Sequence, residues 1–147
     1  MTHAIQSVLV ALLMLLPFTT VAENSTQGHG YTVHHNAIPD TTLSPEIAKQ
    51  YGLVRSKYRG MLNVSVIKEV PGTTGTPVTA QVKARSTNLI GQMREIDLRE
   101  IREGEAVYYI GDFPITNLET LTFRLEVTPK GFDKTIKAQL TQQFFID

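Results

Sequence analysis

The sequence predicts an all-β domain: a single antiparallel sandwich of two sheets, about seven strands in all, with one short helix near residues 45–51. Three observations carry this. Beyond Gly30, apolar and polar side chains alternate with period two, the period of a strand with one face on a core and the other in water. Runs rich in Gly, Pro and Thr, such as Pro71-Gly72-Thr73-Thr74-Gly75 and Pro129-Lys130-Gly131, punctuate the alternation. The third is length: setting aside the first 22 of 147 residues leaves 125, enough for one domain with its own core.

Those first residues read as a secretory signal. Val8 to Leu16 is an unbroken apolar run, followed by Pro17 and by Thr20-Val21-Ala22, small residues suited to a scissile bond after Ala22. The run is too short to span a bilayer, which takes about 20 apolar residues. The expected organisation is a signal peptide over 1–22, a frayed polar segment over 23–30 and the sandwich over 31–147, with the mature chain in the periplasm.

The strands follow in order. Tyr31–Ala37 sets Tyr31, Val33 and His35 on one face, and Tyr58–Val70 sets Leu62, Val64 and Val66 against Asn63 and Ser65. Between them, Ser44 can cap a helix that opens on Pro45 and closes at Gly52. Val78, Ala80, Val82 and Ala84 give the cleanest alternation. Met93–Arg102 is expected as one strand, bulged near Arg99-Glu100 where Ile101 breaks the pattern; its side chains are also good helix formers. Glu105–Phe113 holds the run Val107-Tyr108-Tyr109-Ile110, suited to a strand buried on both faces. Leu121 to Val127 and Ile136 to Ile146 complete a count typical of an immunoglobulin-like sandwich.

Composition removes several function classes. Fourteen basic and fourteen acidic residues balance, which argues against nucleic-acid or anionic-membrane binding driven by a basic surface. There is no cysteine, hence no disulfide, thiol nucleophile, cysteine-ligated zinc or blue-copper site. Gly-x-Ser-x-Gly, His-Glu-x-x-His and P-loop patterns are absent, and Gly28-His29-Gly30 lacks the third glycine of a dinucleotide motif. The mixed charges from Arg94 to Glu105 fit a solvated face or a protected sheet edge better than a carboxylate pair for acid–base chemistry. No enzyme activity and no cofactor are expected.

Two groups of residues invite a site. Arg55, Lys57, Tyr58 and Arg59 mix cations and an aromatic ring, as binding hot spots do. His29, His34 and His35 are imidazoles close in sequence, and imidazole is a good ligand for copper, zinc or nickel. Adjacent strand residues point to opposite faces, so His34 and His35 do not chelate one ion from a regular strand.

The strings Arg55-Ser56-Lys57, Leu62-Asn63-Val64-Ser65-Val66, Thr87-Asn88-Leu89-Ile90-Gly91-Gln92, Arg99-Glu100-Ile101-Arg102-Glu103-Gly104 and Asn117-Leu118-Glu119-Thr120-Leu121-Thr122-Phe123, in this order, resemble a family of small periplasmic gamma-proteobacterial proteins classed as a domain of unknown function. The resemblance runs from about Tyr31 to Asp147. It implies an exported sandwich domain and no activity. His35 departs from the aromatic residue that the family tends to place after a histidine. The expected function is a binding or accessory module whose partner is another envelope protein or a peptide. The alternative is a metal-binding or metal-delivery protein using the three histidines. Neither reading involves nucleic acid or stable membrane insertion after signal cleavage.

Overall fold

The structure is a computed structural model and describes residues 24–147. The expected signal peptide lies outside the described residues. Ten strands form two antiparallel sheets: β1 Ser25–Gly28, β2 Tyr31–Pro39, β3 Arg59–Lys68, β4 Thr76–Pro77, β5 Ala80–Asn88, β6 Met93–Ile96, β7 Arg99–Glu103, β8 Ala106–Pro114, β9 Thr120–Pro129 and β10 Ile136–Gln143. The larger sheet has the order β1-β2-β3-β8-β7, with β4 also on β3, and the smaller sheet the order β10-β9-β5-β6. The two-sheet sandwich is as expected.

The alternating runs bury one face each, as their period requires. Val33, Leu62, Val64 and Val66 of the larger sheet meet Phe123, Leu125 and Val127 of the smaller one, all of them buried. Phe113, Phe123 and Phe144 pack edge to face, with ring centroids 4.8, 5.5 and 6.3 Å apart. Gly60 is the seat of the Phe113 ring: a Cβ there would lie 2.7 Å from Phe113 Cζ. A hydroxyl bridge adds to the packing. Tyr109 Oη accepts from the Ala80 amide at 2.8 Å and donates to Glu100 Oε1 at 2.9 Å, tying β5 of one sheet to β7 and β8 of the other.

The helix α1, Pro45–Gln50, lies on the outer face of the larger sheet. Ala48 and Leu53 cover Met61 and Ile110, with Ile38, Tyr51 and Tyr108 around them, in a second, smaller core. This explains the unbroken apolar run of β8: Tyr109 and Phe113 serve the sandwich interior, while Ile110 serves the helix side. Ser44 Oγ accepts from the Ile47 amide at 3.2 Å, the cap the sequence calls for. Ser44→Ala is expected to cost about 1 kcal/mol in equilibrium urea unfolding, and Ser44→Asp to restore most of it.

Three features differ from the sequence expectation. Residues 25–28 are not frayed: they pair as β1 with β2, Ser25 opposite His34 and Gly28 opposite Tyr31, because a ladder of backbone hydrogen bonds needs no apolar side chains. The short β4 adds to β3 just after the Pro71–Gly75 turn. Most telling, Met93–Arg102 is two strands in different sheets. β6 pairs with β5 and β7 with β8, the chain crossing over at Asp97-Leu98. A glycine makes the crossing possible, since a Cβ on Gly111 would lie 2.3 Å from the Asp97 carbonyl oxygen. Ile101 breaks the alternation because it packs toward the helix-side core and not toward the sandwich interior.

Candidate functional site

Strand registers fix which side chains share an end of the sandwich. In the larger sheet Pro39, Gly60 and Phe113 lie abreast. In the smaller sheet Asn88 is opposite Leu121, and Thr120 opposite Gln143. Residues 115–119 join β8 to β9 at this same end, and the Ile115 amide donates to the Tyr58 carbonyl at 2.8 Å. The end therefore gathers the approach to β3, the β5–β6 hairpin tip, the β8–β9 link and the residues after β10.

The cluster read from the sequence sits here, but its members do different things. Lys57 and Tyr58 are exposed, the ammonium 5.2 Å from the ring centroid. Arg55 reaches back to the Thr41 carbonyl at 3.2 Å. Arg59 is not free: its Nε holds Asp112 Oδ2 at 2.6 Å, and that hydrogen bond raises the guanidinium further above its ordinary value. Beside this pair lies Asp40, fully buried, with neither carboxylate oxygen hydrogen-bonded. Burial, with the Asp112 charge adding to it and Arg59 opposing it, pushes the Asp40 carboxyl up to about 6.

Around Lys57 and Tyr58 lies a set of residues that sequence reasoning missed as a group. Tyr58, Leu89, Ile90, Leu118 and Phe145 are exposed large apolar or aromatic side chains at this one end, with Met93 one residue further in. The other exposed large apolar side chains among the described residues are Val70, at the opposite end, and Ile47 and Val54, on the helix and in the link after it. Met93 is 62% exposed, whereas Met61 is core. The local signal was Leu89-Ile90 in a hairpin turn, where polar residues and glycine are usual.

The three histidines are not brought together. His29 occupies the β1–β2 turn with φ of 53°, its ring tilted against Phe132 with centroids 5.9 Å apart. His34 is exposed on the outer face, while His35 points inward, 3% exposed, with Nε2 3.0 Å from Thr26 Oγ1. Burial is the main cause holding the His35 imidazole below its ordinary pKa. Among the described residues no three His, Cys, Asp or Glu side chains gather to hold a metal ion. A shallow polar hollow of about 220 Å³ opens beside His34, Asn36, Asn63 and Ser65.

On the outer face of the smaller sheet a wider concavity of about 1020 Å³ carries Lys83, Arg85, Arg124 and Lys137 next to Glu95 and Glu126, a mixed polar surface. The charged run from Arg94 to Glu105 is divided between β6 and β7, each at one edge of its sheet, where charge discourages further strand pairing.

Residues 25–147 match the family model described as a domain of unknown function, DUF4426. A crystal structure of a DUF4426 family protein from Pseudomonas aeruginosa PAO1 is similar at 31% identity and a TM-score of 0.71, covering 84% of this chain and 94% of that one. FetP of uropathogenic Escherichia coli strain F11, recombinantly expressed in the periplasm, shares the fold at 9% identity and a TM-score of 0.60, covering 83% of this chain and 93% of that one. A copper-bound variant of FetP gives a TM-score of 0.59, again at 9% identity, covering 85% of this chain and 96% of that one. No curated protein matches the sequence.

Proposed function

This chain belongs to the DUF4426 family, a domain of unknown function, and from that premise we propose that it is a periplasmic, non-catalytic binding or accessory module whose working surface is the apolar end of its sandwich. One observation carries the reading. Four separate chain segments, that of the Lys57–Tyr58 pair among them, expose large apolar or aromatic side chains at the same end. Large apolar side chains exposed together at one end of a domain mark contact with something else. The periplasmic assignment is supported by the apolar run Val8–Leu16 with Thr20-Val21-Ala22 behind it, and by the gamma-proteobacterial family that the sequence resembles. No helix among the described residues is long and apolar enough to cross a membrane.

The copper in the FetP variant is a property of that protein. The metal reading of this chain gains no geometric support, because His29, His34 and His35 sit at a turn, on an outer face and in the core.

The test is photo-cross-linking in intact cells with the full chain. A photoreactive residue at Tyr58 or Leu118 is expected to give a reproducible adduct, and the same residue at Val70 to give none. Equal labelling from both ends, or none from either, would remove the apolar end as the working surface.

A further inference from the structure

We propose that Arg85 and Arg124, side by side on the outer face of the smaller sheet, form a binding site for a phosphate group. The site is independent of the apolar end, so its test and the cross-linking of that end succeed or fail separately.

The registers of the smaller sheet set out this face row by row. Arg85 of β5 is opposite Arg124 of β9, with Glu95 of β6 on the far side of Arg85 and Gln139 of β10 on the far side of Arg124. One row along, Lys83 faces Glu126, and Glu126 faces Lys137. Facing charges in these rows therefore join opposite signs with one exception, Arg85 and Arg124. Side chains directly opposite in an antiparallel pair have Cβ atoms about 5 Å apart, and like charges so placed repel. No carboxylate relieves either arginine. The ion pairs among the described residues are Arg59–Asp112 and Arg102–Glu100, both in the larger sheet. Both Arg85 and Arg124 are exposed, and both line the concavity of about 1020 Å³. An anion between the two guanidinium groups relieves the repulsion at the one mismatched place on a matched face.

The neutral groups beside the pair are donors. Arg124 turns from Glu126, two residues along its own strand, toward the row on the other side, where Nη1 donates to Thr87 Oγ1 at 3.4 Å. Thr87, accepting there, keeps its own hydroxyl proton to donate. Thr122 lies opposite both Thr87 and Thr141, and its hydroxyl is 3.0 Å from that of Thr141. One of those two protons is spent between the hydroxyls and the other is left over. The Gln139 amide adds a donor on the far side of Arg124.

Geometry selects phosphate over carboxylate. One guanidinium fork occupies both oxygens of a carboxylate, whereas a tetrahedral dianion presents oxygens to two forks at once. The concavity carries four basic and three acidic side chains, so the attraction is local and is not the field of a basic surface, in keeping with the neutral composition. Glu95 and Glu126 flank the arginines and repel a second anion.

The test is a titration of the purified protein with inorganic phosphate at an ionic strength held constant with chloride, followed in proton–nitrogen correlation spectra. The Nε–H signals of Arg85 and Arg124 and the amides of Thr87 and Thr122 are expected to shift saturably, and those of Arg55 to stay still. Arg85→Met and Arg124→Met are each expected to weaken binding about tenfold or more, and Lys68→Met, in the larger sheet, to leave it unchanged. Since each arginine substitution removes the repulsion, neither is expected to lower the urea midpoint in chloride, which separates lost binding from lost fold. Acetate is expected to bind about tenfold more weakly than phosphate, or worse. Glycerol phosphate distinguishes the source: tighter binding than inorganic phosphate assigns the site to a phosphate ester, equal binding to the free ion, and either upholds it. Shifts that fail to saturate, that spread over the exposed arginines generally, or that persist in Arg124→Met overturn the site. Acetate binding as tightly as phosphate overturns the choice of ligand.

Discussion

Replacing Phe123 with alanine is expected to lower the free energy of unfolding by about 3–5 kcal/mol. The ring is fully buried between the sheets, where it joins Phe113 from the larger sheet and Phe144 from the segment after β10. Its loss removes apolar burial and two edge-to-face contacts, and the vacated volume cannot close cheaply. Phe113, the natural filler, is fixed against Gly60, where the backbone already lies as close as the ring allows. A domain of this size is stable by only about 5–15 kcal/mol, and a chain without cysteine has no disulfide to limit its unfolded state. Phe123→Ala is therefore expected to lower the urea midpoint sharply, and Phe123→Leu, which refills most of the volume, to lose about half as much. A loss below about 1 kcal/mol for the alanine variant would show that the three rings do not pack as a unit.

What could be read from the sequence was whatever one strand and its two faces determine. The alternation in β5, β9 and β10 reported a sandwich because each strand has one wet face, and the apolar run of β8 reported a strand covered on both sides. The switch between β6 and β7 was not legible. Ile96 and Leu98 keep the alternation going across the crossing, and what allows the chain to change sheets is the missing side chain of Gly111, more than ten residues later. β1 escaped for a related reason, since its register is set by backbone ladder bonds to β2 and not by a hydrophobic pattern of its own.

The site followed the same logic. That His34 and His35 face opposite ways was readable, because it is a local property of a strand. The unity of Arg55, Lys57, Tyr58 and Arg59 was an effect of adjacency: Arg59 belongs to Asp112, 53 residues away, and Arg55 to Thr41. The apolar end comes from four segments that the registers bring together, and only Leu89-Ile90 betrayed it locally.

Asp40 is where burial sets a pH dependence. The sign follows from the direction of its shift. Its folded pKa of about 6 lies above the ordinary 3.8, so between these values the folded state holds a proton that the unfolded state has lost. The stability that Asp40 contributes is complete below about pH 4 and is lost as pH rises through about 6. Integrated over the window, a shift of this size amounts to about 3 kcal/mol. The physical cause is a carboxylate sealed from water, with no hydrogen-bond donor to either oxygen, beside an Asp112 whose charge already engages Arg59. Asparagine at position 40 fills the same space and cannot ionise. Asp40→Asn is therefore expected to match the parent near pH 4, to exceed its stability by about 2–3 kcal/mol at pH 7.5, and to flatten the slope between. Urea unfolding of both chains at intervals from pH 4 to 7.5 measures it. Parallel pH profiles for the two would mean that Asp40 finds a donor or a water molecule in solution and titrates as an ordinary carboxyl.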